Sequence, residues 1–273
     1  MSQSRTTPAE KRRIFRKLHE SGCFIIPNPW DLGSARYLQS LGFKALASTS
    51  SGAAWSQGLP DNGMGRTQVL DHLRMMAAAT DLPLNADFEN GFAADAAGVG
   101  ESVRLAVETG IAGLSIEDSI AGGLFALGTA VERMRAARLA IDAAGGDVML
   151  IGRAECFLVG LPDIDMTVMR LKAYAEAGAD CLYAPGIRTA AHIRAVVEAA
   201  HPKPVNLLVG APGGLSLAQI AELGVRRVSV GGALARVAWG GFMRAARELA
   251  ESGSFDGLAD AVSHPSMNAL FET

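Results

Sequence analysis

The chain has 273 residues, 49% hydrophobic and 19% charged, a composition that supports a large buried core. Its formal net charge of −3 leaves no basic footprint for nucleic acid, and no apolar run has the length of a transmembrane helix, so neither a nucleic acid nor a membrane partner is expected. Three cysteines (Cys23, Cys156, Cys181) show neither metal-type spacing nor the even number of a disulfide framework, which points to a reducing, cytoplasmic setting.

The first segment carries Lys11, Arg12, Arg13, Arg16 and Lys17, with Ile14, Phe15 and Leu18 at helical spacing and Pro8 near the start. It reads as a short amphipathic helix with a solvated basic face, and no signal-peptide core follows it. From there the chain repeats one theme: a short apolar run, a polar or glycine-rich elbow, then an alanine-rich helical stretch. Strands are expected at 23–27, 45–48, 82–87, 113–117, 148–153, 180–183, 204–208 and 227–230. Helices are expected between and after them, at 32–41, 67–79, 100–109, 130–144, 164–177, 190–200, 217–223 and 233–251. Gly42, Gly110, Gly178 and Gly224 stand where helices end before the next strand, a position that calls for left-handed backbone.

Eight βα units in a chain of this length predict an α/β protein, a (β/α)8 TIM barrel. A doubly wound sheet is less consistent, because no dinucleotide fingerprint is present. The expected organisation is one barrel domain over 1–273, with an N-terminal helix in 1–22 and a C-terminal helical extension in 252–273.

In such barrels the chemistry sits where strands end. Those ends read Asn28-Pro29-Trp30-Asp31, then Ser48-Thr49-Ser50-Ser51-Gly52 with a loop reaching Asp61, then Asn85, Asp87 and Glu89. Next come Glu117 and Asp118, Arg153-Ala154-Glu155, Tyr183, Asn206, and Ser229-Val230-Gly231-Gly232. Acids from neighbouring rims suit a hard divalent cation, Mg²⁺ or Mn²⁺. An arginine opposite them suits a planar carboxylate, and the Ser-Ser-Gly elbow can turn N–H groups toward an oxyanion. Each residue also has a plainer reading. Asp31 and Asp118 serve as caps or loop acids, and Arg153 pairs with Glu155 or Glu117. Asn206 bonds a backbone carbonyl, Cys156 is a small buried hydrophobe, and the glycines at 210–214 and 231–232 are turns rather than a phosphate cradle. No histidine falls at a strand end, which argues against a histidine base or zinc.

In this order, the strand ends resemble the isocitrate lyase/phosphoenolpyruvate mutase superfamily, in its phosphonomutase-like branch, across nearly the whole chain. The resemblance rests on Asn28-Pro29-Trp30-Asp31, Ser50-Ser51-Gly52, Ala86-Asp87-Phe88-Glu89-Asn90-Gly91-Phe92 and Gly113-Leu114-Ser115-Ile116-Glu117-Asp118. It continues through Ile151-Gly152-Arg153-Ala154-Glu155, Ala177-Gly178-Ala179-Asp180, Pro204-Val205-Asn206 and Leu223-Gly224-Val225-Arg226-Arg227-Val228-Ser229.

The resemblance implies a Mg²⁺-dependent enzyme (Mn²⁺ being the natural substitute) that breaks or makes C–C or C–P bonds in 2-oxo or 2-hydroxy acids. Asp87 would ligate the metal, Asp61 and Glu117 would hold its waters, and Asn85 takes the place of a second acid. Arg153 would clamp a substrate carboxylate, with Ser50, Ser51 and Gly52 at the substrate oxygens. Asn206 joins the substrate side, and Arg153 and Glu117 are the expected catalytic pair. The expected partners are a small-molecule carboxylate and further copies of the chain, as a dimer or tetramer that exchanges the last barrel helix.

Two departures narrow the reaction. Relatives that bind metal keep Asp-x-Asp where this chain has Asn85 and Asp87. Isocitrate-type lyases carry Lys-x-Cys-Gly-His after the fourth strand, whereas residues 119–128 here contain no lysine, cysteine or histidine. Isocitrate and methylisocitrate cleavage are therefore not expected. The expected activity is C–C cleavage of oxaloacetate-decarboxylase type. The alternatives are C–P chemistry on phosphonopyruvate, as mutase or hydrolase, and a carboxylate-binding barrel without turnover.

Overall fold

The apolar runs become strands because each is long enough to cross a barrel wall and apolar enough to be buried on both faces. A computed structural model describes residues 5–272; residues 1–4 of the 1–22 segment and Thr273 of the 252–273 extension lie outside the described residues. The first elements are α1 (Pro8–Leu18), β1 (Phe24–Ile26), α2 (Leu32–Ser40), β2 (Leu46–Ala47), α3 (Ser50–Ser56), α4 (Arg66–Ala79), β3 (Leu84–Asp87) and α5 (Ala96–Val107). There follow β4 (Gly113–Glu117), a hairpin of β5 (Ser119–Ile120) and β6 (Gly123–Leu124), α6 (Leu127–Ala143), β7 (Met149–Arg153) and α7 (Ile164–Glu176). The chain then forms β8 (Cys181–Tyr183), α8 (Ala190–Ala200), β9 (Val205–Leu208), α9 (Leu217–Glu222), β10 (Arg227–Ser229) and α10 (Ala233–Ser252). A 3₁₀ turn (Asp256–Leu258) and α11 (His264–Ala269) complete it.

Eight strands make one parallel sheet in the order β1-β10-β9-β8-β7-β4-β3-β2. Between its two ends, Ala47 N–H donates to the Pro27 carbonyl at 3.0 Å and closes a (β/α)8 barrel. Every expected strand is present. α3 and the β5–β6 hairpin stand where a loop was expected. Serines compete for backbone hydrogen bonds and so conceal a helix start; here Thr49 caps α3 by accepting from Gly52 N–H at 3.4 Å.

Two hydrophobic layers result. The outer lies between sheet and helices, and the inner fills the barrel with Ile26, Ala45, Ala47, Met149, Ile151, Cys181 and Tyr183 above Phe15 of α1. The basic face of α1 is solvated only in part: Arg13 and Lys17 are exposed as expected, while Lys11, Arg12 and Arg16 reach backbone carbonyls. Lys11 is buried and its Nζ donates to the carbonyls of Ala77 and Thr80 at the end of α4. Arg12 donates to the carbonyls of Val107 at the end of α5 and Ile111 beyond it, and Arg16 to those of Gly146 and Asp147 beyond α6. Helix C-termini leave carbonyls without partners and carry partial negative charge, so a basic helix laid across the barrel floor satisfies several of them at once.

Strand register sets the interior chemistry. Glu117, Arg153, Tyr183, Asn206 and Arg227 are in-register neighbours on β4, β7, β8, β9 and β10. Because barrel strands tilt, a row of constant register spirals down the wall. This one starts at the last residue of β4 and ends at the first residue of β10. It joins the mouth of the barrel to its floor. Among the described residues no helix is long and apolar enough to cross a membrane.

Candidate active site

Asp87, at the end of β3, lies at the centre of the upper site. Its Oδ2 accepts from Ser50 N–H and its Oδ1 from Arg153 Nη1, each at 3.0 Å. Ser48 Oγ lies 2.8 Å from Asp87 N–H and accepts from it. Arg153 Nη1 also meets Glu117 Oε2 at 3.2 Å, and Nε donates to Glu155 Oε1 at 2.5 Å. Two edges of the guanidinium are thus held by three carboxylates, and its face lies 5.2 Å from the Tyr183 ring centroid. Nη2 has no hydrogen-bond partner among the described residues and remains free for a ligand. Burial opposes the charge of Arg153, but Glu117, Glu155 and Asp87 outweigh it and hold the guanidinium protonated.

The surrounding acids outnumber that one cation. Asp61 accepts from Ser50 Oγ at 3.2 Å, and Glu117 accepts from Ser119 Oγ. Glu89 sits at φ +46, a left-handed conformation rare without glycine, which turns it back toward the same space. Burial, then the charges of Asp87, Glu117 and Asp61, push Glu89 up to about 8. Burial also raises Glu117, and burial with the Glu117 charge lifts Glu155 to about 7 despite Arg153.

Two connected cavities share Ser50, Asp61 and Arg153. The mouth, about 770 Å³, is lined by Glu89, Glu117, Glu155 and the β5–β6 hairpin. A well of about 140 Å³ descends into the barrel past Asp87, Tyr183 and Ser229 to Asn85, Asn206 and Arg227. Ser50 and Ser51 line the well. Gly52 stands behind it, where an added Cβ would come within 2.8 Å of Trp30 and Thr49; its role is close packing of α3. Asn85 lies one inward-facing layer below Asp87, and its Oδ1 accepts from Arg227 Nη1 at 3.3 Å. Asn206 is fully buried, accepts from Arg227 Nε at 2.9 Å and donates to Ser229 Oγ at 3.0 Å rather than to a carbonyl.

The residues left outside the core site divide. Asp31 is an N-cap, accepting from Ser34 N–H at 2.7 Å. Asp118 is a buried pillar instead. It accepts from Glu155 N–H at 2.8 Å, from Arg170 Nη1 at 3.1 Å and from the Tyr174 hydroxyl at 2.5 Å. It thereby fixes the residue that holds Arg153. Asn28 is a second clasp, accepting from Val230 N–H at 2.9 Å and Gly231 N–H at 2.8 Å while donating to the Ser48 carbonyl. Arg227 and Tyr183 escaped the sequence reading as site residues; the signal for Arg227 was a charged residue at a strand start with inward-facing parity.

Among the described residues no three acids, histidines or cysteines form a ready-made metal cage. Mg²⁺ does not need one, since it takes one or two carboxylates and keeps waters and substrate oxygens. The donor set fits that demand. Asp61, Asp87 and Glu117 would offer hard oxygens from adjoining rims, and burial, together with the neighbouring carboxylate charges, raises Glu89 and Glu117, a crowding that a divalent cation would relieve.

Comparison with known proteins agrees with this placement. The family model for phosphoenolpyruvate phosphomutase matches residues 15–250. A solved structure from Burkholderia cenocepacia J2315, described provisionally as a lyase/mutase, is 48% identical, with a TM-score of 0.94 over 97% of this chain and 98% of that one. An oxaloacetate decarboxylase of Pseudomonas aeruginosa (strain LESB58) is 30% identical over 82% of this chain and 80% of its own. The structure of oxaloacetate acetylhydrolase with the inhibitor 3,3-difluorooxalacetate is 25% identical, with a TM-score of 0.87 over 97% and 94% of the two chains.

Proposed function

This chain belongs to the phosphoenolpyruvate phosphomutase family, within the isocitrate lyase/phosphoenolpyruvate mutase superfamily of lyases and mutases, and from that premise we propose that it is a Mg²⁺-dependent lyase that decarboxylates an oxaloacetate-like 2-oxo acid. The observation that carries the reading is Arg153, fixed at the junction of mouth and well by Asp87, Glu117 and Glu155 with one edge left free. A guanidinium so held presents N–H donors to a substrate carboxylate without the entropy cost of ordering itself. The bond to the leaving carboxylate breaks, its electron pair becomes the enolate, CO₂ departs, and protonation at carbon yields the 2-oxo product. Asp87, with Asp61 and Glu117, would hold Mg²⁺, which when bound would supply Lewis-acid stabilisation of the developing negative charge. Arg153 orients the substrate carboxylate, Ser50 and Ser51 face its oxygens, and the narrow well keeps bulk water away from the enolate.

The β5–β6 hairpin favours this reaction over isocitrate-type cleavage, because residues 119–128 hold no side chain able to serve as the missing thiol or imidazole acid. C–P chemistry on phosphonopyruvate is the second reading, favoured by the family's own description. One parallel assay decides: CO₂ from oxaloacetate against inorganic phosphate or phosphoenolpyruvate from phosphonopyruvate, each with added Mg²⁺. Release of CO₂ is the expected result, phosphorus chemistry transfers the assignment, and oxalate binding without turnover leaves a carboxylate-binding barrel.

Exchange of α10 between copies is part of the same reading. Of its twenty residues only Ala235 is buried, while Val237, Trp239, Phe242 and Met243 are exposed. A patch of that size on a soluble protein calls for a partner surface. Sedimentation should therefore give a dimer or tetramer, and a monomer at micromolar concentration would reject the exchange.

A further inference from the structure

The barrel floor holds a cation without a counter-charge. Arg227 is 2% exposed and lines the well, yet it makes no ion pair among the described residues. Its Nε donates to Asn206 Oδ1, and its Nη1 to Asn85 Oδ1 with His19 Nε2 at 3.5 Å. Nη2 has no partner among the described residues. A buried guanidinium surrounded by neutral groups is costly, and a single carboxylate at position 85 would neutralise it at 3.3 Å. The chain instead places an amide there. Gly113 makes the room, because an added Cβ would come within 2.8 Å of Asn85 Oδ1 and 2.7 Å of Phe15.

The contacts of Arg227 also fix how the well is lined. A guanidinium only donates, so it holds Asn206 with its oxygen downward and its NH₂ toward Ser229 Oγ. Ser229 Oγ, occupied as an acceptor, has its own hydrogen left for the well or the neighbouring Tyr183 phenol. The lower well is therefore donor-rich and positively charged, under a mouth crowded with acids.

We propose that Arg227 is a positioning and specificity-determining residue: its uncompensated charge, kept so by Asn85, and its hold on the Asn206 amide make the floor of the well a receptor for an anionic group of the substrate. This rests on the lyase reading for the existence of a carboxylate substrate, and it adds that a second anionic group, or the charge developing on the reacting acid, is drawn down the barrel rather than out to the mouth. Asn85 then serves Arg227 through its oxygen, and its neutrality is a requirement of anion binding rather than a weakened metal ligand.

Oxalate binding by calorimetry at fixed Mg²⁺, beside a separate Mg²⁺ titration, tests this on wild type, Asn85→Asp, Arg227→Met and Arg227→Lys. At an effective dielectric of about 20, a new negative charge within several ångströms of the anion weakens oxalate at least about tenfold in Asn85→Asp. Arg227→Met loses a comparable factor, and Arg227→Lys, which keeps the charge, recovers most of it. Should Arg227→Met fail to fold, Asn85→Asp keeps the guanidinium and carries the test. Oxalate affinity unchanged or tightened in Asn85→Asp, with Mg²⁺ bound more tightly, overturns the inference and returns Asn85 to the metal. If wild type takes no oxalate, the lyase reading and the inference both fall; equal affinity in wild type and variants sinks the inference alone.

Discussion

The mouth and the floor of this barrel pose opposite electrostatic problems around the same side chain, an arginine. At the mouth, Asp61, Asp87, Glu89, Glu117 and Glu155 face one guanidinium, and burial, aided by the neighbouring acids, raises Glu89, Glu117 and Glu155. At the floor, one guanidinium faces the amides Asn85 and Asn206 and no acid. The first arrangement is incomplete without a cation and the second without an anion. The proposed carboxylate substrate, together with a divalent ion, would supply both from the two ends of one cavity. Arginine is thus charge-balanced by acids in one place and faced only by neutral amides in the other.

Breaking the mouth should have the largest effects. Asp87→Ala is expected to lower kcat/KM by about 10³-fold or more in a Mg²⁺-supplemented oxaloacetate assay, because it removes both the metal oxygen and the partner that orients Arg153. Full retained turnover would remove Asp87 from the metal. Arg153→Met leaves the buried Glu117 and Glu155 and the half-buried Asp87 without their cation. It should destabilise the fold by about 3–5 kcal/mol in urea titration and abolish carboxylate binding. A variant as stable as wild type would mean that those acids are already protonated in the native state.

Asp118→Asn tests the pillar beneath the mouth. The amide keeps its shape but loses the charge paired with Arg170, for an expected loss of about 2–3 kcal/mol, with turnover falling only as far as Glu155 drifts from Arg153. No change in stability would assign the anchoring to Tyr174 and backbone alone.

The smallest effect sharpens the comparison through pH. Glu89 is pushed from 4.5 up to about 8. Between those values the folded chain keeps a proton that the unfolded chain has released, so stability falls as pH rises through that window and levels off above it. Glu89→Gln should flatten the decline, raising Tm by roughly 2–4 °C at pH 8.5 and leaving it unchanged at pH 4. A parallel decline in the variant would place the titrating group elsewhere, with Glu155 the next candidate.

Much of this was legible in the linear chain. Alternating apolar runs and alanine-rich helices identify eight units, because strand and helix formation follow local periodicity and glycine placement. The rim acids and Arg153 were legible for the same reason, since the end of an apolar run marks the barrel mouth. α3 stayed hidden because serine and glycine propensities favour a loop, and its helix is held by packing against Trp30 and Ala235. The inward half of the basic face of α1 is not legible locally, since the carbonyls that Lys11, Arg12 and Arg16 cap lie at or beyond the ends of α4, α5 and α6, far away in sequence.

The sequence by itself determined the fold, the family and the set of polar residues at the mouth, all of which depend on neighbours a few residues apart. Only the tertiary structure decided which groups meet. Asp118 became a pillar because Arg170 and Tyr174 of α7 reach its carboxylate, and Asn85 was turned toward Arg227 by strand parity. The row from Glu117 to Arg227 exists because tilted strands carry a constant register from mouth to floor, a relation between β4 and β10 that no local pattern encodes.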